Sequence, residues 1–116
     1  SAKALYVILS EKLRRHELMF IDDISFKEPK TKEAKTILGA LAGVKGFERL
    51  LTKKKNAAYV TIAEKSPAVV KSFSNFANID LDDVKNMNPL DLLSHKYVLV
   101  VSPAASIKFI EGKLNK

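Results

Sequence analysis

The 116-residue sequence contains no cysteine and has no long apolar run. The missing cysteines exclude disulfide bridges, thiol chemistry, iron–sulfur clusters and zinc sites built on thiolates. The longest apolar runs, 4–9 and 97–101, are far shorter than the roughly 20 residues that a membrane span requires. The first run leads directly into charged residues, so we expect neither a targeting peptide nor a membrane segment.

The composition is that of a soluble globular protein, with 47% apolar and 28% charged residues. A chain of this length buries enough surface to hold a sheet and several helices without disulfide or metal cross-links. No linker, internal repeat or low-complexity segment interrupts it. We therefore expect residues 1–116 to form a single globular α/β domain.

Positive charge is concentrated in one part of the chain. The formal net charge is +7, from 20 Lys and Arg against 13 Asp and Glu. Residues 25–60 hold nine of the cations and only three of the carboxylates, so they account for +6 of the total. This asymmetry indicates a polyanionic partner, with nucleic acid as the first candidate and an acidic membrane surface as the second. An ordinary solvated lysine surface is the alternative.

Apolar spacing predicts helices and strands in alternation. Parallel strands need crossover connections, so this order predicts a three-layer αβα sandwich around a mostly parallel, Rossmann-like sheet of about four strands. The predicted elements are a helix over 2–16, a strand over 18–21, a helix from Thr31, a turn over 47–51, a strand over 58–63, a helix from Pro67, a strand over 78–84, a short helix from Pro89, a strand over 97–101 and a helix from Pro103.

Helix starts and buried faces follow from local patterns. Thr31, Ser66, Asn88 and Ser102 are predicted to cap the helices that follow them, and proline suits the first helical position after the last three. In the first helix, Leu5, Ile8, Leu9 and Leu13 are expected to face the core, and Lys12 the solvent. The unbroken apolar strand 18–21 is expected to be buried on both faces. In the last helix, the expected apolar stripe is Ile107, Ile110 and Leu114, which leaves Phe109 exposed.

No catalytic motif is complete. Neither a Gly-x-Gly-x-x-Gly loop nor a Walker-type loop follows any predicted strand, no serine lies in a nucleophile elbow, and His16 and His95 have no partner at metal or triad spacing. Asp22-Asp23 after the first strand could bind magnesium, as in a receiver-like or small nucleotide-binding α/β domain. The other receiver residues are missing at the corresponding strand ends. We expect no enzyme, no cofactor and no small-molecule substrate, and keep the magnesium domain as the alternative.

The basic segment is the best candidate for a functional surface. Lys32 and Lys35 would lie one turn apart on the second helix, and Lys45, Arg49 and Lys53 would form a stripe on any helix near 47. Because lysine suits backbone contacts and arginine is scarce, we expect recognition of RNA shape and backbone. The candidate RNA-binding residues are Lys27, Lys30, Lys32, Lys35, Lys45, Arg49, Lys53, Lys54 and Lys55, with Arg14 and Arg15 at the end of the first helix.

The order of five motifs resembles that of a known family. They are Leu-Ser-Glu-Lys at 9–12, Leu-Met-Phe-Ile-Asp-Asp-Ile at 18–24, Glu-Pro-Lys-Thr-Lys-Glu at 28–33, Asn-Pro-Leu-Asp-Leu-Leu at 88–93 and Lys-Tyr-Val-Leu-Val-Val-Ser at 96–102. Together they resemble the bacterial large-subunit ribosomal protein "L four" family, and the resemblance extends along essentially the whole chain.

This resemblance implies a structural, non-catalytic component of the large ribosomal subunit that acts in translation, binds rRNA and contacts neighbouring ribosomal proteins in the cytoplasm. Family members also carry an N-terminal portion with a long basic loop, so the chain is expected to be the C-terminal globular part of a longer protein. The motif lysines Lys30 and Lys32 are expected to contact rRNA phosphates. Phe109 is a candidate for docking another protein or the absent N-terminal segment.

Overall fold

The computed structural model describes residues 2–114, with side chains over 3–112. Helices and strands alternate in the predicted order. A short 3-10 turn over Val84–Asn86 is added between the third strand and the fourth helix. The elements are α1 Ala2–Arg14, β1 Leu18–Ile21, α2 Thr31–Ala42, β2 Ala58–Ile62, α3 Pro67–Phe73, β3 Ile79–Asp83, α4 Pro89–Ser94, β4 Tyr97–Val101 and α5 Pro103–Leu114.

The four strands form one parallel sheet in the order β1-β4-β2-β3. Helices α2 and α3 pack on one face through a cluster that includes Leu38 and Phe73. Helices α1, α4 and α5 pack on the other face through a cluster that includes Leu5, Leu92 and Ile110. The predicted three-layer αβα sandwich is therefore confirmed.

Because all four strands are parallel, they all begin at one edge of the sheet and end at the other. We call these the amino edge and the carboxyl edge. The loops and helix ends that precede a strand gather at the amino edge, and those that follow a strand gather at the carboxyl edge. This arrangement decides which parts of the basic segment lie near each other.

Two of the predicted helix caps are present as side-chain hydrogen bonds. Ser66 Oγ accepts from the amide of Val69 at 3.3 Å, and Asn88 Oδ1 accepts from the amide of Asp91 at 3.0 Å. In both cases proline follows the cap at the start of the helix. Helix α5 also begins at its proline, but Ser102 before it has φ 55°, in the left-handed region rather than the extended one.

The predicted cap at Thr31 is wrong. Helix α2 starts at Thr31 itself, so the capping position is Lys30, whose side chain makes no capping bond. Thr31 Oγ1 instead accepts a hydrogen bond from Asn75 at 3.0 Å, and the amide of Lys30 donates to Ser72 Oγ at 2.7 Å. Contacts to Ser72 in α3 and to Asn75 just after it hold the start of α2, and no local side-chain cap is present.

The prediction that β1 is buried on both faces is also wrong. The strand lies at the end of the sheet, and its Phe20 is 47% exposed. The expected surface of α5 is reversed at two positions: Phe109 packs against the second core cluster, and Ile107 is 38% exposed. Phe109 is therefore not the exposed docking residue. The side chain of Leu114 lies outside the described residues.

Tyr97, the first residue of β4, connects the sheet to the long loop 43–57. Its buried hydroxyl donates to the carbonyl of Gly46 at 2.7 Å and accepts from the amide of Arg49 at 3.3 Å. Its ring stacks on Phe47 at 4.8 Å between centroids. These contacts fix the loop, which contains no helix or strand, against the amino edge.

We expect Tyr97→Phe to lower the free energy of unfolding by about 1–2 kcal/mol, because it leaves loop groups without their hydrogen-bond partner. Urea denaturation followed by circular dichroism measures the change. The control is Tyr6→Phe at a tyrosine that is 58% exposed, which should change the free energy by less than about 0.5 kcal/mol. Equal losses in the two variants would contradict this role of Tyr97.

Candidate nucleic-acid interface

Helix α2 divides the predicted RNA-binding residues into two groups. It begins beside the end of α3, where Lys30 and Thr31 bond to Ser72 and Asn75, and extends about 18 Å to the start of loop 43–57. Residues near its start are thus separated from those in loop 43–57. The amino-edge group is Arg14, Arg15, Lys45, Arg49, Lys53, Lys54 and Lys55, and the α2 group is Lys27, Lys30, Lys32 and Lys35.

The amino-edge group is assembled by a close contact between two turns. Gly46 has φ 97°, a conformation that glycine adopts readily, and a Cβ at this position would lie 3.0 Å from both Cβ and O of His16. His16 itself has φ 58° in the turn between α1 and β1. The contact brings the end of α1, which carries Arg14 and Arg15, close to the turn that carries Lys45.

Hydrogen bonds to backbone carbonyls hold the segment that contains the lysine run 53–55. Asn78, just before β3, donates from Nδ2 to the carbonyls of Leu50 and Lys53 at 3.1 and 2.9 Å. The amide of Lys96 donates to the carbonyl of Asn56 at 3.1 Å. The side chains of Lys54 and Lys55 are exposed at this edge.

The predicted turn over 47–51 is confirmed. No helix forms there, so the stripe of cations that a helix would have produced is absent. Residues 43–57 form successive turns, so Lys45, Arg49 and Lys53 are not on one helix face. They are nevertheless brought to the same edge by the contacts with Tyr97 and Asn78. Tertiary contacts, and not helical spacing, therefore bring these three cations to one edge of the sheet.

The arginines of α1 share one carboxylate. Glu11 accepts from Arg14 at 2.6 and 3.1 Å and from Arg15 at 3.0 Å. The hydrogen bonds from Arg14 and Arg15 lower the pKa of Glu11 from 4.5 to about 2. Glu11 is therefore ionised at neutral pH, and the three side chains carry a net charge of about +1.

The loop cations are less compensated. Among the described residues, none of the five basic side chains in loop 43–57 forms an ion pair within 4.0 Å. Glu48, the one carboxylate in this loop, accepts a hydrogen bond from the amide of Gly46 at 3.1 Å, and hydrogen bonds from its own amide and from that of Gly46 lower its pKa. The loop thus presents a fixed excess of positive charge to solvent.

Two neighbouring residues of α1 are wrongly assigned. Leu13, expected to face the core, is 53% exposed, and the side chain of Lys12, expected on the solvent face, is only 12% exposed. Lys12 donates to the carbonyls of His95 and Lys96 at 2.6 and 2.8 Å, and burial lowers its pKa. Glu17 lies 3.9 Å from Lys12 and 3.1 Å from Lys96. Lys12 therefore has a structural role beneath the amino edge.

His95, which has no partner at short spacing in the sequence, is buried in a structural contact. Its Nε2 lies 2.6 Å from Asp80 Oδ2, and its Nδ1 lies 2.6 Å from the carbonyl of Asp91. Its ring lies at 5.6 Å from that of Tyr59. The contact joins β3, α4 and the start of β4. Because His95 and Asp80 are 15 residues apart in the sequence, no short motif reveals it.

The α2 group lies in a more balanced environment. Lys30 Nζ is 3.5 Å from Glu28, and Glu33 follows Lys32 in the first turn of the helix. The amides of that turn have no side-chain cap, so they and the lysines can together bind an anion. Lys27, Lys32 and Lys35 are exposed.

The proposed magnesium residues lie at the carboxyl edge. Asp22 and Asp23 line an open cleft of about 550 Å³ together with Ser102 and Pro103. Within residues 2–114, no group of three or more His, Cys, Asp or Glu side chains could hold a metal ion. Asp22 and Asp23 are the only carboxylates among the described residues that line this cleft. Over the same residues, no helix combines the length and apolar character of a membrane span.

Comparison with known proteins agrees with the resemblance seen in the motifs. The chain matches the Ribosomal protein L4/L1 family over residues 1–113. Large ribosomal subunit protein uL4 of Oceanobacillus iheyensis is 31% identical over 102 residues, which cover 88% of this chain and 44% of that protein. The uL4 protein of Magnetococcus marinus is 27% identical over 111 residues, which cover 96% of this chain and 47% of that protein. The chain spans less than half the length of these relatives, and it belongs to the ribosomal protein L4/L1 family.

Proposed function

We propose that the chain is a structural constituent of the large ribosomal subunit that binds large-subunit rRNA and catalyses no reaction. Membership of the ribosomal family and the names of the relatives support this role. In this role it acts in translation, on ribosomes in the cytoplasm. Its partners are rRNA and neighbouring large-subunit proteins.

The observation that carries the proposal is the fixed excess of positive charge in loop 43–57. Tyr97 and Asn78 hold this loop, and its five cations make no ion pair within the described chain. Phosphate groups would therefore replace only water and counterions, without breaking an existing salt bridge. We assign the main phosphate contacts to the amino-edge group.

The α2 group supplies a second, weaker phosphate contact in this proposal. The uncapped first turn of α2 offers amides to an anion, and Lys30 and Lys32 flank it. Lys30 must first leave Glu28, and Glu33 adds a negative charge nearby. These carboxylates reduce the free energy that each phosphate contact gains.

The residue types favour binding to the RNA backbone over reading of bases. Lysine is a point charge that suits phosphate, whereas arginine has the planar geometry that binds guanine through two hydrogen bonds. Arg14 and Arg15 already bind Glu11, and only Arg49 is an arginine without a carboxylate partner in the described chain. Specificity then depends on RNA shape and on the fixed arrangement of the cations.

The triple variant Lys53→Gln, Lys54→Gln, Lys55→Gln should weaken RNA binding and reduce the slope of log K against log salt by about 2–3, because each lost phosphate contact removes about 0.7–0.9. Filter binding of the large-subunit rRNA of Oceanobacillus iheyensis at several salt concentrations measures the slope. The matched control replaces Lys71, Lys85 and Lys108 with Gln. These exposed lysines lie outside both basic groups, and their replacement lowers the net charge by the same three units as the 53–55 variant does.

In the control, we expect the slope to change by less than one unit, since only the long-range field is reduced. Equal slopes for both triple variants would show that binding follows net charge and would remove residues 53–55 from the interface. Unchanged thermal unfolding of both variants establishes that the fold is intact.

The variant Lys30→Gln, Lys32→Gln, Lys35→Gln should reduce the same slope by a smaller amount, about 1–2, because carboxylates already compensate part of the α2 group. The same filter-binding series measures it. A reduction larger than that of the 53–55 variant would place the main interface at α2 and contradict our assignment.

Glu11→Gln should strengthen RNA binding about two- to fivefold at low salt, because it frees the cations of Arg14 and Arg15 for phosphate. The low pKa of Glu11 means that neutral-pH experiments cannot remove this charge without the mutation. The control is Glu111→Gln on α5, an exposed glutamate away from both basic groups, which should have a smaller effect. Equal gains from both variants would show that Arg14 and Arg15 make no phosphate contact.

A further inference from the structure

Strand β1 has an unpaired edge. Within the described chain it pairs only with β4, and the amides of Val98 and Ser102 donate to the carbonyls of Glu17 and Ile21 at 2.8 and 3.0 Å. In a parallel pair, alternate residues direct their backbone groups to the same neighbour. The amides and carbonyls of Leu18 and Phe20 therefore point away from the sheet.

An apolar groove runs beside this edge. It has a volume of about 260 Å³ and lies between α1, β1 and α5. The side chains of Tyr6, Leu13, Phe20 and Ile107 line it, and each is exposed. Unpaired strand edges with adjacent apolar surface are sites where a further strand can pair.

The charges at the two ends of β1 are opposite. Arg15 and His16 precede the strand, and Asp22 and Asp23 follow it; all four side chains are exposed. Glu11 binds both Arg14 and Arg15, so one positive charge remains uncompensated near the start. A strand that runs antiparallel and carries the same order of charges therefore pairs favourably here.

A second copy of β1 meets both requirements. We propose that the chain forms a two-fold dimer in which β1 pairs antiparallel with β1 of the other copy. With Met19 on the two-fold axis, Leu18 lies opposite Phe20 of the second copy, and their outward backbone groups bond to each other. The same register brings Asp22 and Asp23 to the end that holds His16 and Arg15 of the second copy. A parallel pairing would put the aspartates beside each other.

The dimer is expected to be weak and reversible. The strand has four residues, and the pairing adds only about four main-chain hydrogen bonds. Phe20 and the two adjoining grooves add apolar contact across the axis, but interfaces of this size are typical of transient complexes. We therefore expect a dissociation constant in the micromolar to millimolar range. The inference goes beyond the proposed function and needs no RNA.

Sedimentation velocity of the RNA-free chain over a wide concentration series, at low salt, tests the dimer. The dimer fraction should increase with concentration. Phe20→Lys should abolish the dimer, since a lysine at an open edge opposes strand pairing. The matched control is Leu90→Lys on α4, where the leucine is 73% exposed and lies away from β1; it should keep the dimer. Circular dichroism checks that both variants remain folded.

A charge exchange tests the register. Arg15→Asp and Asp23→Arg should each weaken the dimer about fivefold or more, because each change introduces like charges at both symmetric ends. The double variant should recover most of the affinity, since it restores opposite charges across the axis.

Three results would overturn the proposal. They are a monomer at every concentration, a dimer that persists in Phe20→Lys, and a double variant that is no stronger than the single ones. The first would show that the edge binds no second copy, the second that the dimer uses another surface, and the third that the antiparallel register is wrong. None of these results bears on RNA binding, which is measured separately.

Discussion

The hydrogen bonds of Tyr97 and Asn78 to loop 43–57 are the interactions on which the proposed RNA surface depends. A loop with five cations and one carboxylate repels itself, and it contains no helix or strand to order it. The buried hydroxyl of Tyr97 and the amide of Asn78 fix its backbone at the start of β4 and β3. The charges are therefore held before a partner arrives, which reduces the ordering cost of binding.

Helix α2 explains why the chain has two basic groups. The basic segment is continuous in sequence, but the 12-residue helix, about 18 Å long, lies between its two parts. Arg14 and Arg15, distant in sequence, join the amino-edge group because α1 ends where the strands begin. Lys12, also near the end of α1, has a different role. Its largely buried side chain donates to backbone carbonyls and is not part of the charged surface.

The fold could be predicted from sequence because alternation, proline and capping residues are local signals. Ser66 and Asn88 cap their helices as their Ser-Pro and Asn-Pro patterns indicate, whereas Thr31 does not, because Ser72 and Asn75 reach α2 from elsewhere in the chain. Strand order is not a local signal, so β1 was wrongly expected to be buried on both faces. For the candidate interface, the sequence indicated which residues are basic but not how their side chains are arranged. The pairing of Glu11 with both arginines, the burial of Lys12 and the contact of His95 with Asp80 all depend on the folded structure.

The central claim is that the amino edge faces rRNA. The cysteine-free sequence allows a hydroxyl-radical source to be attached at one introduced cysteine, at Lys54→Cys in the loop or at Lys108→Cys on α5. With the protein bound to large-subunit rRNA, the account predicts strong local cleavage of the RNA from position 54 and weak cleavage from position 108. Strong cleavage from position 108 with none from position 54 would contradict it.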